Sequence, residues 1–505
     1  MNQLIHIMKR RRLHMSILEG LRAIVGNEHA TDIPEICRSY AYSTSFTARY
    51  EHIPDFVVQP QSTEQVSEIL KFANAHHIPV TPKGLVSGGG YGGPFYGGIL
   101  LDLLYMDKVI KVDPVDMKAV AEAGCSFFKL SQEIFKQGMM IPTTQYTCGP
   151  NAAASLITPA IAFGKTRYGR NCELVDGIEV VLPTGEICRL GSLAYDDTEF
   201  GPYTKYICGP DLIGLYIMSN GAFGIVTKVA YGCQKRPPVW SGASYFWKES
   251  EIKACSEFMS EATAMEVYDI HMNDRWKYDL PTRGKDAKKK MPGLLDLLPE
   301  DAYFFIESTL TAFSQEEMDA KLKQMDALAE KYGGVKMGNE LGGEFFAKWP
   351  TVHSVPHFFC HLLGSVYEIG KFNYQFIFDS IVYPTSKFDI VYLKMKELFE
   401  KYGFWGYPAV SVIDAFPIKG QTVCTQTWTY LNTRDQEMVD RVFAFREEFR
   451  EWFGSMGGTN QMTVPPLGPD YEWKNQPGHY KMLQRFKEAL DPNHICSPAT
   501  FEMEV

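Results

Sequence analysis

The chain has no CxxC pair and no paired cysteine spacing, although it carries 11 cysteines. That excludes an encoded iron–sulfur cluster or zinc site. An odd, scattered set running from Cys37 to Cys496 instead fits free thiols in a reducing, cytoplasmic compartment. A basic face is also missing. Lys and Arg number 50 against 60 Asp and Glu, a net charge of −10, which argues against a nucleic-acid partner. No apolar run approaches the roughly 18 residues that cross a bilayer, so no membrane span is expected. There is no internal repeat and no low-complexity tract. The densest run of cations, KDAKKK at 285–290, reads as a solvated loop, with docking of an acidic partner as the functional alternative. The opening MNQLIHIMKRRRLHMSILEGL has a basic cluster but no small-residue cleavage site. It reads as a surface helix, with Met15 an alternative start.

Glycine, by contrast, is concentrated. Residues 82–94 read PKGLVSGGGYGGP, between a helix-then-strand pattern and the apolar run 99–104. Without Cβ atoms, consecutive backbone N–H groups can converge on an anion, so this loop is a candidate phosphate cradle; a plain turn is the alternative. Ser62 and Gln65 form a capping-box pattern ahead of Val66, Ile69, Leu70 and Ala73, which predicts a helix over 63–77. Strands are expected at 79–81, 99–103, 109–112 and 119–123, then a helix with Phe127, Leu130 and Ile134 on one face. Residues 177–182 and 186–190 read as a hairpin about Pro183, Thr184 and Gly185. Near Arg236, Pro237 and Pro238 the pattern changes to long helices, such as 315–332 and 435–453, alternating with aromatic-rich strands. A chain of 505 residues with 45% hydrophobic content exceeds one ordinary core, so two or more domains are expected.

Two further small-residue segments follow the loop: ASLITPAIAFGKTRYGRNCELVDGIEVVLPTGEICRLGS and GPDLIGLYIMSNGAFGIVTKVAY. The succession resembles the FAD-binding domain of the vanillyl-alcohol oxidase and cresol methylhydroxylase superfamily, with which the glycolate oxidase and D-lactate dehydrogenase branch shares its flavin domain. The resemblance covers residues ~50–237 and the closing RFKEALDPNHICSP. GYGGP, EVVLPTGE and SNGAFGIVTK lean toward the vanillyl-alcohol oxidase branch. It implies an α+β, two-domain flavoenzyme with a PCMH-type FAD-binding domain and an α+β substrate, or cap, domain. The expected division is a helical lead-in over 1–50, the FAD domain over 51–238, the cap over 239–468 and a return to the FAD domain over 469–505.

By that resemblance the pyrophosphate lies on backbone donors of Lys83, Gly84, Ser87, Gly88, Gly89, Gly90 and Tyr91. Pro142, Ser155, Thr158, Tyr168 and Gly169 run beside the flavin and its ribityl chain, while Gly224, Ile225 and Val226 read the adenine side. Tyr91 matches a tyrosine that holds the substrate phenolate in the phenol-oxidising branch; it could equally stack on the cofactor or fill space. Where that branch has an aspartate after YG, this chain has Arg170. A guanidinium clamps a carboxylate bidentately, so Arg170 suits an anionic substrate; pairing with a structural acid or an FAD phosphate is the alternative. The branch's Tyr–Arg pair near the end of the cap is replaced by Thr459 and Asn460. The HxGDGNxH-type metal segment of the hydroxy-acid branch is absent, and no metal is expected. In TVHSVPHFFCHLLG, His357 is a candidate general base, and His357 with His361 has metal-pair spacing, beside the plain packing role.

The FAD is expected to be non-covalent. No His or Cys occurs over 82–98, and GQTVCTQTWTY at 420–430, matching a strand that carries a tethering histidine in the family, has none; Cys424 and Tyr430 are the formal alternatives. The expected reaction is removal of a hydride from a small, aromatic or largely apolar alcohol or phenol, with or without a carboxylate. The alternatives are a 2-hydroxy-acid dehydrogenase feeding a partner, and a non-catalytic flavoprotein subunit. Partners expected are the small-molecule substrate and an electron-accepting protein or a second copy of the chain.

Overall fold

The structure, a computed structural model, describes residues 2–41, 53–84, 96–142, 151–154, 164–275, 299–337, 374–405, 411–420, 422–432, 435–460, 474–498 and 500; for 2–13, 374–379, 411–412, 414, 428, 430–432 and 459–460 only the backbone is described.

The first unit comprises α1 (Asn2–Val25), β1 (Ala30–Thr31), α2 (Pro34–Tyr40), β2 (Phe56–Val58), α3 (Thr63–His76), β3 (Val80–Lys83), β4 (Ile99–Asp102), β5 (Val109–Asp113), β6 (Lys118–Glu122), α4 (Phe127–Lys136), β7 (Met139–Met140), α5 (Lys165–Tyr168), β8 (Val175–Val181), β9 (Ile187–Gly191), β10 (Ile225–Gly232) and β11 (Gln234–Lys235). Two sheets result, β1-β2-β4-β3, in which β2 and β3 both run parallel to β4, and an antiparallel β5-β6-β10-β8-β9. Helix α3 begins where Ser62 Oγ accepts the Gln65 N–H and ends at His77 in the left-handed conformation. Its Val66, Ile69, Leu70 and Ala73 are buried, as the 3–4 spacing requires. The expected reciprocal cap differs in one detail: the Gln65 side chain accepts from Gln61 N–H, one residue before Ser62. The β8–β9 hairpin pairs Gly177 with Gly191 and turns through Gly185 at φ 84°. One apolar core joins these elements and takes in Ile495 and Cys496 from beyond α10 (Pro477–Leu490).

The second unit is one antiparallel sheet of eight strands in the order β15-β12-β14-β13-β17-β18-β16-β19. Its elements are β12 (Val239–Trp247), α6 (Ile252–Ala262), β13 (Asp269–Asp274), β14 (Phe304–Ala312), α7 (Gln315–Lys331), β15 (Val335–Lys336), β16 (Tyr374–Pro384), α8 (Phe388–Tyr402), β17 (Ser411–Ile418), β18 (Thr422–Asn432), α9 (Gln436–Ser455) and β19 (Thr459–Asn460). Helices α6 to α9 cover one face, and their buried side chains share a single core with it.

Candidate active site between the flavin domain and the cap sheet

Side chains alternate between the two faces of a strand. Ile270, Met272, Ile306, Ile413 and Ala415 lie in the helix-side core, so Asp269, His271 and Asn273, together with Glu307, Phe416, Cys424 and Gln426, stand on the opposite, inner face. All of these are buried. At its Asp269 and Phe416 end that face is covered by the first unit.

The cover is α5. The Lys165 side chain has no solvent exposure, and its ammonium donates to both carboxylate oxygens of Asp269, at 2.7 and 2.8 Å. It also lies 4.5 Å from the centre of the Phe416 ring. Thr166 Oγ donates to the Pro417 carbonyl and accepts the Ile270 N–H, so α5 is bonded to β13 and β17 together. Burial pulls the Lys165 ammonium below its ordinary pKa and pushes the Asp269 carboxyl above its own, each opposed by the charge of the other. Gly164 makes the approach feasible. It sits at φ 84°, and a Cβ there would lie 2.2 Å from the Pro142 carbonyl oxygen and 3.0 Å from the Tyr268 ring.

Immediately after α5, Gly169 takes φ 83°, where a Cβ would meet the Glu173 carboxylate at 2.3 Å. Glu173 accepts the Arg170 N–H and pairs with Lys419 of the cap. The Arg170 guanidinium itself has no hydrogen-bond or ion-pair partner among the described residues. Its charge, with that of Lys165, acts on Cys424, whose thiol burial pushes up to about 12. Arg170 therefore lies within electrostatic reach of the inner face of β18. His271 is 2% exposed, its ring 5.3 Å from that of Phe416, and Glu307 stands directly across the β13–β14 ladder.

The three small-residue segments pack within the first unit, with glycine at each close approach. A Cβ on Gly84 would lie 3.0 Å from Asn151 Oδ1, one on Gly221 2.5 Å from the Pro82 ring, and one on Gly224, at φ 138°, 2.6 Å from the Val181 carbonyl. Asn151 is locked by donating to the Gly124 carbonyl. Segments distant in sequence thus pack closely where glycine has no Cβ, and glycine-lined backbone is what holding a dinucleotide requires. These residues fit FAD. The Lys83 side chain is turned away to a partner of its own: it is partly buried, donates to the Tyr40 carbonyl at 2.9 Å, and burial lowers its pKa.

Of the residues singled out from sequence, Ser87, Gly88, Gly89, Gly90, Tyr91, Ser155, Thr158 and His357 lie outside the described residues, as do His353, His361 and the 285–290 run. Pro142, Tyr168, Gly169 and Arg170 gather around α5, while Gly224 makes one of those close approaches and Ile225 and Val226 pair with Val181 and Val180. The backbone of Asn460 pairs with Ile381, a helix-side residue, and that of Thr459 with Val382. No group of His, Cys, Asp and Glu among the described residues could hold a metal. Sequence reasoning missed Lys165, Asp269, His271 and Asn273. The alternation D-I-H-M-N-D carried the signal for the last three, a strand with one polar and one apolar face.

Residues 54–191 match the FAD binding domain family. The fold matches p-cresol methylhydroxylase with substrate bound at a TM-score of 0.78 and 19% identity, over 97% of this chain and 96% of that one. Residues 54–191 are an FAD binding domain, and the whole chain is similar to FAD-linked oxidases. It is an FAD-dependent oxidoreductase, with a PCMH-type flavin domain. Glycolate oxidase subunit GlcD of Bacillus subtilis (strain 168) is 28% identical over 90% of this chain and 91% of its own length. The 4-cresol dehydrogenase [hydroxylating] flavoprotein subunit of Pseudomonas putida is 31% identical, over 44% of this chain and 43% of its own. The mitochondrial D-lactate dehydrogenase [cytochrome] of Arabidopsis thaliana is 30% identical, over 44% and 37%. This oxidoreductase thus spans nearly all of the first relative and less than half of the other two.

Proposed function

We propose that this oxidoreductase removes a hydride from the oxygen-bearing carbon of a small, largely apolar alcohol or phenol that also carries a carboxylate. The observation that carries the reading is Arg170, a cation with no partner among the described residues, set between the flavin segment and the inner face of the cap. FAD, when bound, supplies the hydride acceptor. The chain supplies the rest. Arg170 clamps the carboxylate. Phe416 and Phe305 give apolar wall, and burial under α5 excludes water. His271, the one histidine among the described cap residues, takes the hydroxyl proton.

A 2-hydroxy-acid substrate is the second reading, favoured by the full-length likeness to a glycolate oxidase subunit. Both readings place the FAD unit at 51–238 and 469–505 and the cap at 239–468, and both keep Tyr91, His357 and Asn460 as further candidates. An electron-accepting protein is the proposed partner, since one relative is itself a flavoprotein subunit. The proposed compartment is the reducing cytoplasm: the nine cysteines of the described residues are free, and no described helix is long and apolar enough to cross a membrane. Mixing the enzyme anaerobically with benzylic alcohols, 4-alkylphenols and 2-hydroxy acids tests the function. Carboxylate-bearing alcohols should bleach the flavin fastest; bleaching confined to neutral phenols would reject the reading.

A further inference from the structure

One register step beyond His271, away from α5, the inner face carries two carboxamides that the reaction above does not use. Asn273 has no solvent exposure, and neither its amide nitrogen nor its amide oxygen has a hydrogen-bond partner among the described residues. Its backbone pairs with Asp414, and Asp414 pairs with Gln426 on β18. Asn273 and Gln426 therefore stand two strands, roughly 10 Å, apart on the same face. Gln426 is buried too, and its amide oxygen lacks a partner as well. Phe305 flanks Asn273 in register on the other side.

Folding gains nothing from a buried amide with no protein partner; native proteins complete such groups with ordered water, an ion or a ligand. Here two occur in one row, on the same sheet face as Asp269, which α5 covers. An amide presents a donor and an acceptor but no charge, and the cation of this face, Lys165, is held by Asp269 two register steps away. We infer that Asn273 and Gln426 form a hydrogen-bonding subsite for an uncharged hydroxyl of the substrate, apart from the carboxylate that Arg170 reads. This assignment rests on the proposal that the inner face is the substrate wall.

The test replaces Asn273 with leucine of similar volume in the FAD-loaded enzyme, with Gln426→Leu as a second variant. Two probes are used, 4-hydroxymandelate and mandelate, which differ by one hydroxyl. Melting without ligand should be unchanged or raised by a few degrees, because the substitution removes an unsatisfied group. KM for 4-hydroxymandelate should rise about tenfold or more, while that for mandelate moves little, so discrimination between the two collapses. A lowered melting temperature, a failure to fold, or an unchanged ratio of the two KM values would show that the amides serve the fold and would overturn the assignment. If neither probe reduces the wild-type flavin, the proposal for the face itself fails, and the melting comparison still decides whether Asn273 is a structural group.

Discussion

Lys165 and Asp269 show how one residue pair can hold two units in register. Both are buried, and such a pair is worth little over apolar substitutes, whereas a stranded partner is costly. Asp269→Ala should therefore destabilise the protein by about 3–5 kcal/mol in urea unfolding, and the double replacement Lys165→Met with Asp269→Leu should recover most of that loss. A double variant as unstable as the single one would show that the charges do more than pair. Arg170→Ala is expected to leave unfolding near wild type, since the guanidinium has no partner among the described residues. It should raise KM for mandelate about tenfold or more and spare benzyl alcohol, given about 1.5–3 kcal/mol for a charge-assisted bond; equal losses would point to a role in holding the cofactor. Arg170 could be singled out from sequence because it stands next to a recognisable YG. Asn273 could not, since a buried, unpaired amide is defined by what surrounds it, and its neighbours come from β14, β17 and β18.

At the scale of elements, the turns and faces were legible and the pairings were not. Ser62, the apolar 3–4 spacing and His77 delimit α3 within a residue of the expected helix, and the β8–β9 hairpin follows from its Pro-Thr-Gly turn. Nothing local places Met272 opposite Ala415, yet that pairing brings His271 beside Phe416. Gly164 is the element-scale test of the site. Its positive φ and the 2.2 Å approach to the Pro142 carbonyl leave no room for a methyl, so Gly164→Ala should cost roughly 1–3 kcal/mol and loosen FAD by displacing Tyr168 and Gly169; thermal melting and flavin retention on desalting would show both. Glu179 of β8 gives a pH test. Burial alone would raise its carboxyl, but hydrogen bonds from Arg189, Thr63 and Lys228 outweigh that and hold it below its ordinary value of 4.5. A depressed acid adds stability above its unfolded pKa and loses it as pH falls through the folded one. Unfolding below about pH 4.5 should thus be less steep in Glu179→Gln, which should also be weaker than wild type at neutral pH.

For the whole molecule, the FAD unit reads clearly from its sequence because dinucleotide binding demands bare backbone at fixed places, and glycine marks them. The cap does not, since an apolar sheet face and a substrate wall use the same residue types. The tether also belongs to this scale, because it depends on how the cap strand meets the flavin. Cys424 is in the buried inner face with its thiol kept protonated by burial, which fits non-covalent FAD, and acid precipitation should leave flavin fluorescence in the supernatant. The central claim is that a substrate carbon gives its hydrogen to FAD between the α5 segment and the cap sheet. Anaerobic stopped-flow reduction with mandelate and with mandelate deuterated at the carbinol carbon tests it most directly. The account predicts bleaching of the flavin that slows several-fold on deuteration; no bleaching by any alcohol or phenol tested would contradict it.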